Sequence, residues 1–85
     1  MHPSDNVVTV LSNVGVGERV SFFIREELRC VEVRQVITFG HKIAIRRIEK
    51  DNNIIKYGEV IGKAKKQIEQ GEHVHVHNVE STRAR

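Results

Sequence analysis

Gly71-Glu72-His73-Val74-His75-Val76-His77-Asn78 alternates imidazole and valine with a period of two. That period belongs to a β-strand, where successive side chains point to opposite faces. A strand from His73 to Val79 puts the three imidazoles on one face and turns Val74 and Val76 toward a core. Packing alone does not account for three histidines grouped on the outer face of a valine strand. Contact with a polar substrate, ligation of a metal, or a solvated face without a role are the readings open at this point.

The rest of the chain reads in the same language. Aromatics are few (Phe22, Phe23, Phe39 and Tyr57, with no Trp), so the core is built from Val and Ile, which favour strands. Val7 to Leu11, Arg19 to Ile24, Leu28 to Arg34, Lys42 to Ile48 and Ile54 to Tyr57 read as strands. A helix from Ile24 to Val33 competes with the third of these, because Glu26, Glu27, Leu28 and Arg29 are good helix formers. Val60-Ile61-Gly62 reads as a short apolar link. Ala64 to Glu69 is expected to form one or two helical turns capped by Gly71. Six glycines and one proline punctuate these runs, and no internal repeat is visible. The expectation is a mainly β, small, clip-like or barrel-like fold of six or seven short strands with glycine turns and little helix. It forms a single domain over 1–85, with 80–85 as a flexible tail.

Bulk properties narrow the function. At 85 residues the chain has a modest core, and a site shared with a partner is easier to build than one enclosed within it. Its 39% hydrophobic and 29% charged residues are ordinary for a globular domain and argue against disorder. The single cysteine, Cys30, excludes an internal disulfide and a multi-cysteine zinc site, and is expected to be buried in its strand. There is neither a signal-peptide pattern at the start nor an apolar run long enough for a membrane helix, so a soluble cytoplasmic protein is expected. A net charge of +3, spread along the chain, is a mild steering field for anions and too diffuse for a nucleic-acid binder.

Within the alternating strand, neighbouring imidazoles start roughly 6.6 Å apart and His73 and His77 roughly 13 Å apart. One ion held by all three therefore requires a bent strand. Two histidines with a ligand from outside are the sharper expectation, and His75 and His77 are the candidates. The same imidazoles can do acid–base work, since each titrates near about 6.5 and a crowded set titrates together. Gly40-His41-Lys42 places a second histidine and a lysine after a flexible turn, with two solvated residues as the bland alternative. Ile55-Lys56-Tyr57-Gly58-Glu59-Val60-Ile61-Gly62 is no phosphate loop; there Lys56 is a candidate for a carboxylate and Tyr57 reads as packing. In His2-Pro3-Ser4-Asp5-Asn6, a turn before the first strand competes with a site role for His2 and Asp5.

Taken in order, His2-Pro3-x-Asp5-Asn6, Gly40-His41-Lys42-Ile43-Ala44, Ile55-Lys56-Tyr57-Gly58-x-x-Ile61-Gly62 and the His-Val-His-Val-His-Asn stretch resemble the SAF domain of altronate dehydratases. The small subunit of sulfolactate sulfo-lyase is similar, and the last stretch favours these types over galactarate dehydratases. The resemblance implies a β-clip fold and a larger catalytic subunit or domain as partner. It implies a divalent metal, commonly iron, held mostly by that larger part. It also implies β-elimination of water or sulfite from a hydroxy acid, with a sugar acid as the small substrate. On that reading His41, His73, His75 and His77 are the catalytic candidates, and Lys42, Lys56, His2 and Asp5 the substrate-binding ones. Neither nucleic acid nor membrane is an expected partner, and self-association is left open. The competing expectation is a non-catalytic module that binds sugar acids or similar anions.

Overall fold

A recurring turn organises the chain. The computed structural model describes residues 3–81. In four places a β-branched residue, Val14, Ile37, Ile48 or Ile68, is followed by the same tight turn. The carbonyls of Gly15, Thr38, Glu49 and Glu69 accept hydrogen bonds from the N–H groups of Glu18, His41, Asn52 and Glu72, at 3.1, 2.9, 3.1 and 3.1 Å. The third residue of each turn is left-handed: Gly17 (φ 90°), Gly40 (85°), Asp51 (72°) and Gly71 (90°). A positive φ at that position is the signature of a type II turn and explains why three of the four are glycine. The N–H of each of these residues also bonds a distant carbonyl, at Val33, Val10, Ala64 and Ala44 respectively. Bridges Val14↔Ile37 and Ile48↔Ile68 tie the four turns into two pairs. The chain thus contains a structural repeat that its sequence does not display, because only two positions of each copy recur.

Eight short strands run between these turns: β1 (Val7–Thr9), β2 (Arg19–Ile24), β3 (Glu27–Glu32), β4 (Lys42–Ala44), β5 (Asn53–Lys56), β6 (Glu59–Ala64), β7 (His73–Val74) and β8 (Val79–Ser81). They form a central sheet β1-β4-β7, a hairpin β2-β3 and a sheet β5-β6-β8. The pairing described in these sheets is antiparallel. The central sheet is buried on both faces. Val7, Ala44 and Val74 pack into one core with Ile48, Ile54 and Ile68, whereas Val8 and Ile43 pack into a second with Val31, Val33 and Ile37. Two-sided burial is why Val7-Val8 and Ile43-Ala44-Ile45 read as unbroken apolar runs rather than alternating ones.

Several expectations need correction. No helical turn occurs among the described residues: Ala64 ends β6, and Ile68 forms a β-bridge. Gly71 is accordingly a turn residue and not a helix cap. Val60-Ile61-Gly62 is part of a six-residue strand, not a link. The helix that competed for Ile24 to Val33 loses to the β2-β3 hairpin, which turns at Arg25 (φ 57°). Cys30 lies on the outer face of that hairpin and is exposed. Of the expected tail, Glu80 and Ser81 pair with Lys63 and Gly62; 82–85 lie outside the described residues.

Two glycines allow the turn geometry to be tested. A methyl group on Gly71 would sit 2.2 Å from the carbonyl oxygen of Glu32, in addition to the unfavourable φ. At Gly40 the same methyl group meets nothing within 4 Å, so only the φ penalty applies. Gly40→Ala should cost about 1 kcal/mol, and Gly71→Ala about 2 kcal/mol or more, because the backbone must also shift. Urea unfolding of the two variants beside the parent chain measures both; equal losses would contradict the close approach at Gly71.

Candidate functional site

The Gly40 turn delivers His41 to the start of β4, next to β7. In that pair Ile43 faces His73 and Lys42 faces Val74. One further step in the same register sets His41 opposite His75, and the two rings stack with centroids 3.8 Å apart. His41 Nδ1 lies 2.8 Å from His73 Nε2. The His73 and His77 rings are 4.9 Å apart and tilted by 36°.

The imidazoles converge because the chain leaves the strand early. β7 is only two residues long, and the chain turns through His75 to Asn78 instead of continuing as a strand. Asn78, which is buried, fixes that turn. Its Oδ1 accepts the His75 N–H at 2.9 Å and its Nδ2 donates to the His73 carbonyl at 2.8 Å. Val76 is consequently 71% exposed and serves no core. Asn78 was the residue that sequence reasoning passed over. Its signal was an Asn, a turn-forming type, closing the His-Val alternation.

The donor nitrogens of His41, His73 and His75 lie within 4.8 Å of one another, which makes them, among the described residues, a group able to share an ion. The expected pair, His75 and His77, is thus divided: His75 belongs to this group and His77 flanks it. A contact of 2.8 Å between two ring nitrogens requires one to carry a proton and the other a lone pair, so His41 and His73 cannot both be cationic there. Burial lowers the His73 pKa from its ordinary value, and the charges of His77, His41 and His75 lower it further. Burial, then His41, Lys42 and His77, act on His75 in the same direction.

A cleft of about 430 Å³ opens beside the cluster. Its wall includes His75, Lys42, Lys56, Tyr57 and Glu59, and Ile54, Ile61, Val74 and Val79 supply its apolar lining. Lys42 and Lys56 therefore line one opening. Burial, followed by repulsion from Lys56, lowers the Lys42 pKa. Tyr57 is not packing: it is 69% exposed, adopts a left-handed φ of 52°, and has the Lys56 ammonium 5.1 Å from its ring centroid.

Asp5 is fully buried rather than displayed in the cleft. Its Oδ1 accepts the Gly58 N–H at 2.8 Å, while Oδ2 has no hydrogen-bond partner among the described residues. Neighbouring Asn6 holds both sides of the start of β5, donating to the Asn53 carbonyl and accepting the Ile55 N–H. Together they fasten the β5-β6 hairpin, and with it Lys56 and Tyr57, to β1. The other candidate from that segment, His2, lies outside the described residues.

An antiparallel β-clip with a histidine cluster and a two-lysine cleft defines the class of protein. Comparison with known families adds the lineage. Residues 1–82 match the altronate/galactarate dehydratase SAF domain, and the chain belongs to that family. It is 39% identical to the (2R)-sulfolactate sulfo-lyase subunit alpha of Chromohalobacter salexigens over 98% of this chain and 93% of the relative. It is 40% identical to the altronate dehydratase of Bacillus subtilis over 95% of its own length but only 16% of that enzyme. For the Escherichia coli altronate dehydratase the values are 41%, 92% and 15%. The relatives are thus a small lyase subunit and the much longer dehydratases of which this unit is one part.

The depressed histidines give stability a definite pH dependence. Their folded pKa values lie below the unfolded value near about 6.5, so the unfolded chain binds more protons in that range. The associated stability is complete above pH 6.5 and is lost as pH falls through the folded values. Thermal melts between about pH 7.5 and 5.5 should show a drop that is smaller in His73→Gln. Identical slopes for the two proteins would contradict the crowding of these rings.

Proposed function

We propose that this chain is the small subunit or N-terminal domain of a cytoplasmic altronate dehydratase-like hydro-lyase. It supplies the histidine and lysine side of a site completed by a larger catalytic subunit or domain. The reaction is β-elimination of water, or of sulfite, from a hydroxy acid. The observation that carries this reading is the histidine cluster whose member His75 lines one cleft with Lys42 and Lys56.

Elimination beside a carboxylate needs a base for the α proton and help for the leaving group at the β carbon. A neutral imidazole from the group His41, His73, His75 and His77 accepts the proton. The electron pair of the broken C–H bond forms the double bond, and the leaving group departs with its own pair. Lys42 and Lys56 pair with the substrate carboxylate and stabilise the charge that spreads onto it as the proton leaves. When bound, a divalent metal, iron on the family resemblance and mostly on the larger partner, would supply Lewis acidity to the leaving group. A sugar acid suits the polar rim.

The surface around the first pair of turns supports a larger partner. Structurally equivalent turn positions carry Val16 and Phe39 in that pair but Lys50 and Gln70 in the other. Leu11 and Val36 add to the apolar end, and all four side chains there are more than half exposed. This end adjoins the site: Phe39-Gly40 leads into His41, and Gln35 Oε1 accepts the His73 N–H. A water-exposed apolar surface beside a polar site is what an assembled neighbour covers.

The test is activity of the chain assembled with its larger partner, on aldonates and on sulfolactate. His41→Gln, His73→Gln and His75→Gln should each lower kcat/KM by about a hundredfold; full activity in all three contradicts the reading. Leu11→Ser combined with Phe39→Ser should weaken assembly by about tenfold or more, measured by sedimentation. The two-lysine cleft also favours a second reading, a module that binds sugar acids without turnover. Saturable aldonate binding by the chain, with no larger partner in its native complex, would move that reading ahead.

A further inference from the structure

We propose that His41, His73 and His75 form a site for one divalent first-row transition ion within this chain. The proposal concerns the same cluster as the lyase reading and sharpens it, moving ligands of the metal from the larger partner into the small β-clip. It stands on this chain's own geometry and is tested without a partner.

Spacing is the first argument. Imidazoles bound at about 2.1 Å hold their donor atoms about 3.0 Å apart when they are cis in an octahedron and about 3.4 Å apart in a tetrahedron. The His41 and His73 nitrogens are 2.8 Å apart, and the His75 donor lies within 4.8 Å of both. The three rings lie within 11° of parallel. Convergence on one ion requires them to turn about χ2, the broad terminal torsion of histidine.

Chemistry is the second argument. The group contains three bases and no carboxylate. A Lewis acid is the partner that three imidazoles grouped without a carboxylate favour jointly. An all-imidazole set selects iron(II), cobalt, nickel, copper or zinc over magnesium or calcium, which prefer oxygen.

Support around the ligands is the third. Asn78 clamps the backbone of His73 and His75, Gln35 holds the His73 N–H, and the left-handed turn at Gly40 sets His41. Such fixing of first-shell residues is typical of functional metal sites. Three protein ligands leave coordination positions for an exogenous group. His75 also lines the two-lysine cleft, so an ion in this group borders the space where an anion would sit.

The experiment is a titration of the chain with Co²⁺, followed by visible absorption and calorimetry, with Mg²⁺ as the counter-ion control. One saturable Co²⁺ per chain is expected, indifferent to excess Mg²⁺. His41→Gln, His73→Gln and His75→Gln should each weaken it by about tenfold or more, with far-ultraviolet circular dichroism unchanged. Cys30→Ser, at the exposed thiol on the far hairpin, should leave it intact. On the unsubstituted chain, Zn²⁺ should protect the same three histidines from carbethoxylation, mapped by mass spectrometry. Absence of saturable Co²⁺ binding, binding that survives all three histidine substitutions, or loss of binding in Cys30→Ser overturns the site. Because no partner is present, those outcomes leave the lyase-component reading standing.

Discussion

The left-handed residue at the third position of each tight turn is the constraint on which this fold depends. It reverses the chain, and its own N–H is spent on a distant carbonyl, so the turn is stitched to the sheet as it forms. With strands of only two to six residues, no single ladder is long enough to hold itself together. Two turn pairs, each closed by a bridge between β-branched residues, gather the short ladders around two valine and isoleucine cores.

The site inherits its geometry from the same device. Gly40 sets His41 at the head of β4, and the antiparallel register carries it to His75. Asn78 then ends β7 early and folds the histidine stretch back on itself. Rings that an extended strand would keep far apart become neighbours. Asp5 and Asn6 work behind the scenes by pinning the hairpin that bears Lys56 and Tyr57. The histidine cluster is therefore preorganised by backbone and amide hydrogen bonds.

Much of the fold was legible because period-two apolar runs do not depend on distant context: Arg19 to Ile24 is a strand end to end. The helical expectation for Ala64 to Glu69 failed because residues with good helix propensity were recruited by the Ile48↔Ile68 bridge, a tertiary demand that outweighs local preference. Tyr57 and Cys30 were misjudged because burial depends on which face of a hairpin has a neighbour, and sequence does not reveal that. In the site, His41, His73, His75, Lys42 and Lys56 were picked out by residue type and come together. For Asp5 a turn competed with a site role in the sequence, and the structure buries it with Oδ1 on the Gly58 N–H. The convergence of His41 with His73 and His75 could not be read, since it rests on a register between segments about thirty residues apart and on a turn made by one asparagine.

Convergence of His41, His73 and His75 on one another is what the account rests on, and imidazole ¹⁵N–¹H correlation and cross-relaxation spectra of the chain test it most directly. The account predicts cross-relaxation between the rings of His41 and His75 and an N–H···N hydrogen bond between His41 Nδ1 and His73 Nε2. Absence of ring contact and of that hydrogen bond would contradict it.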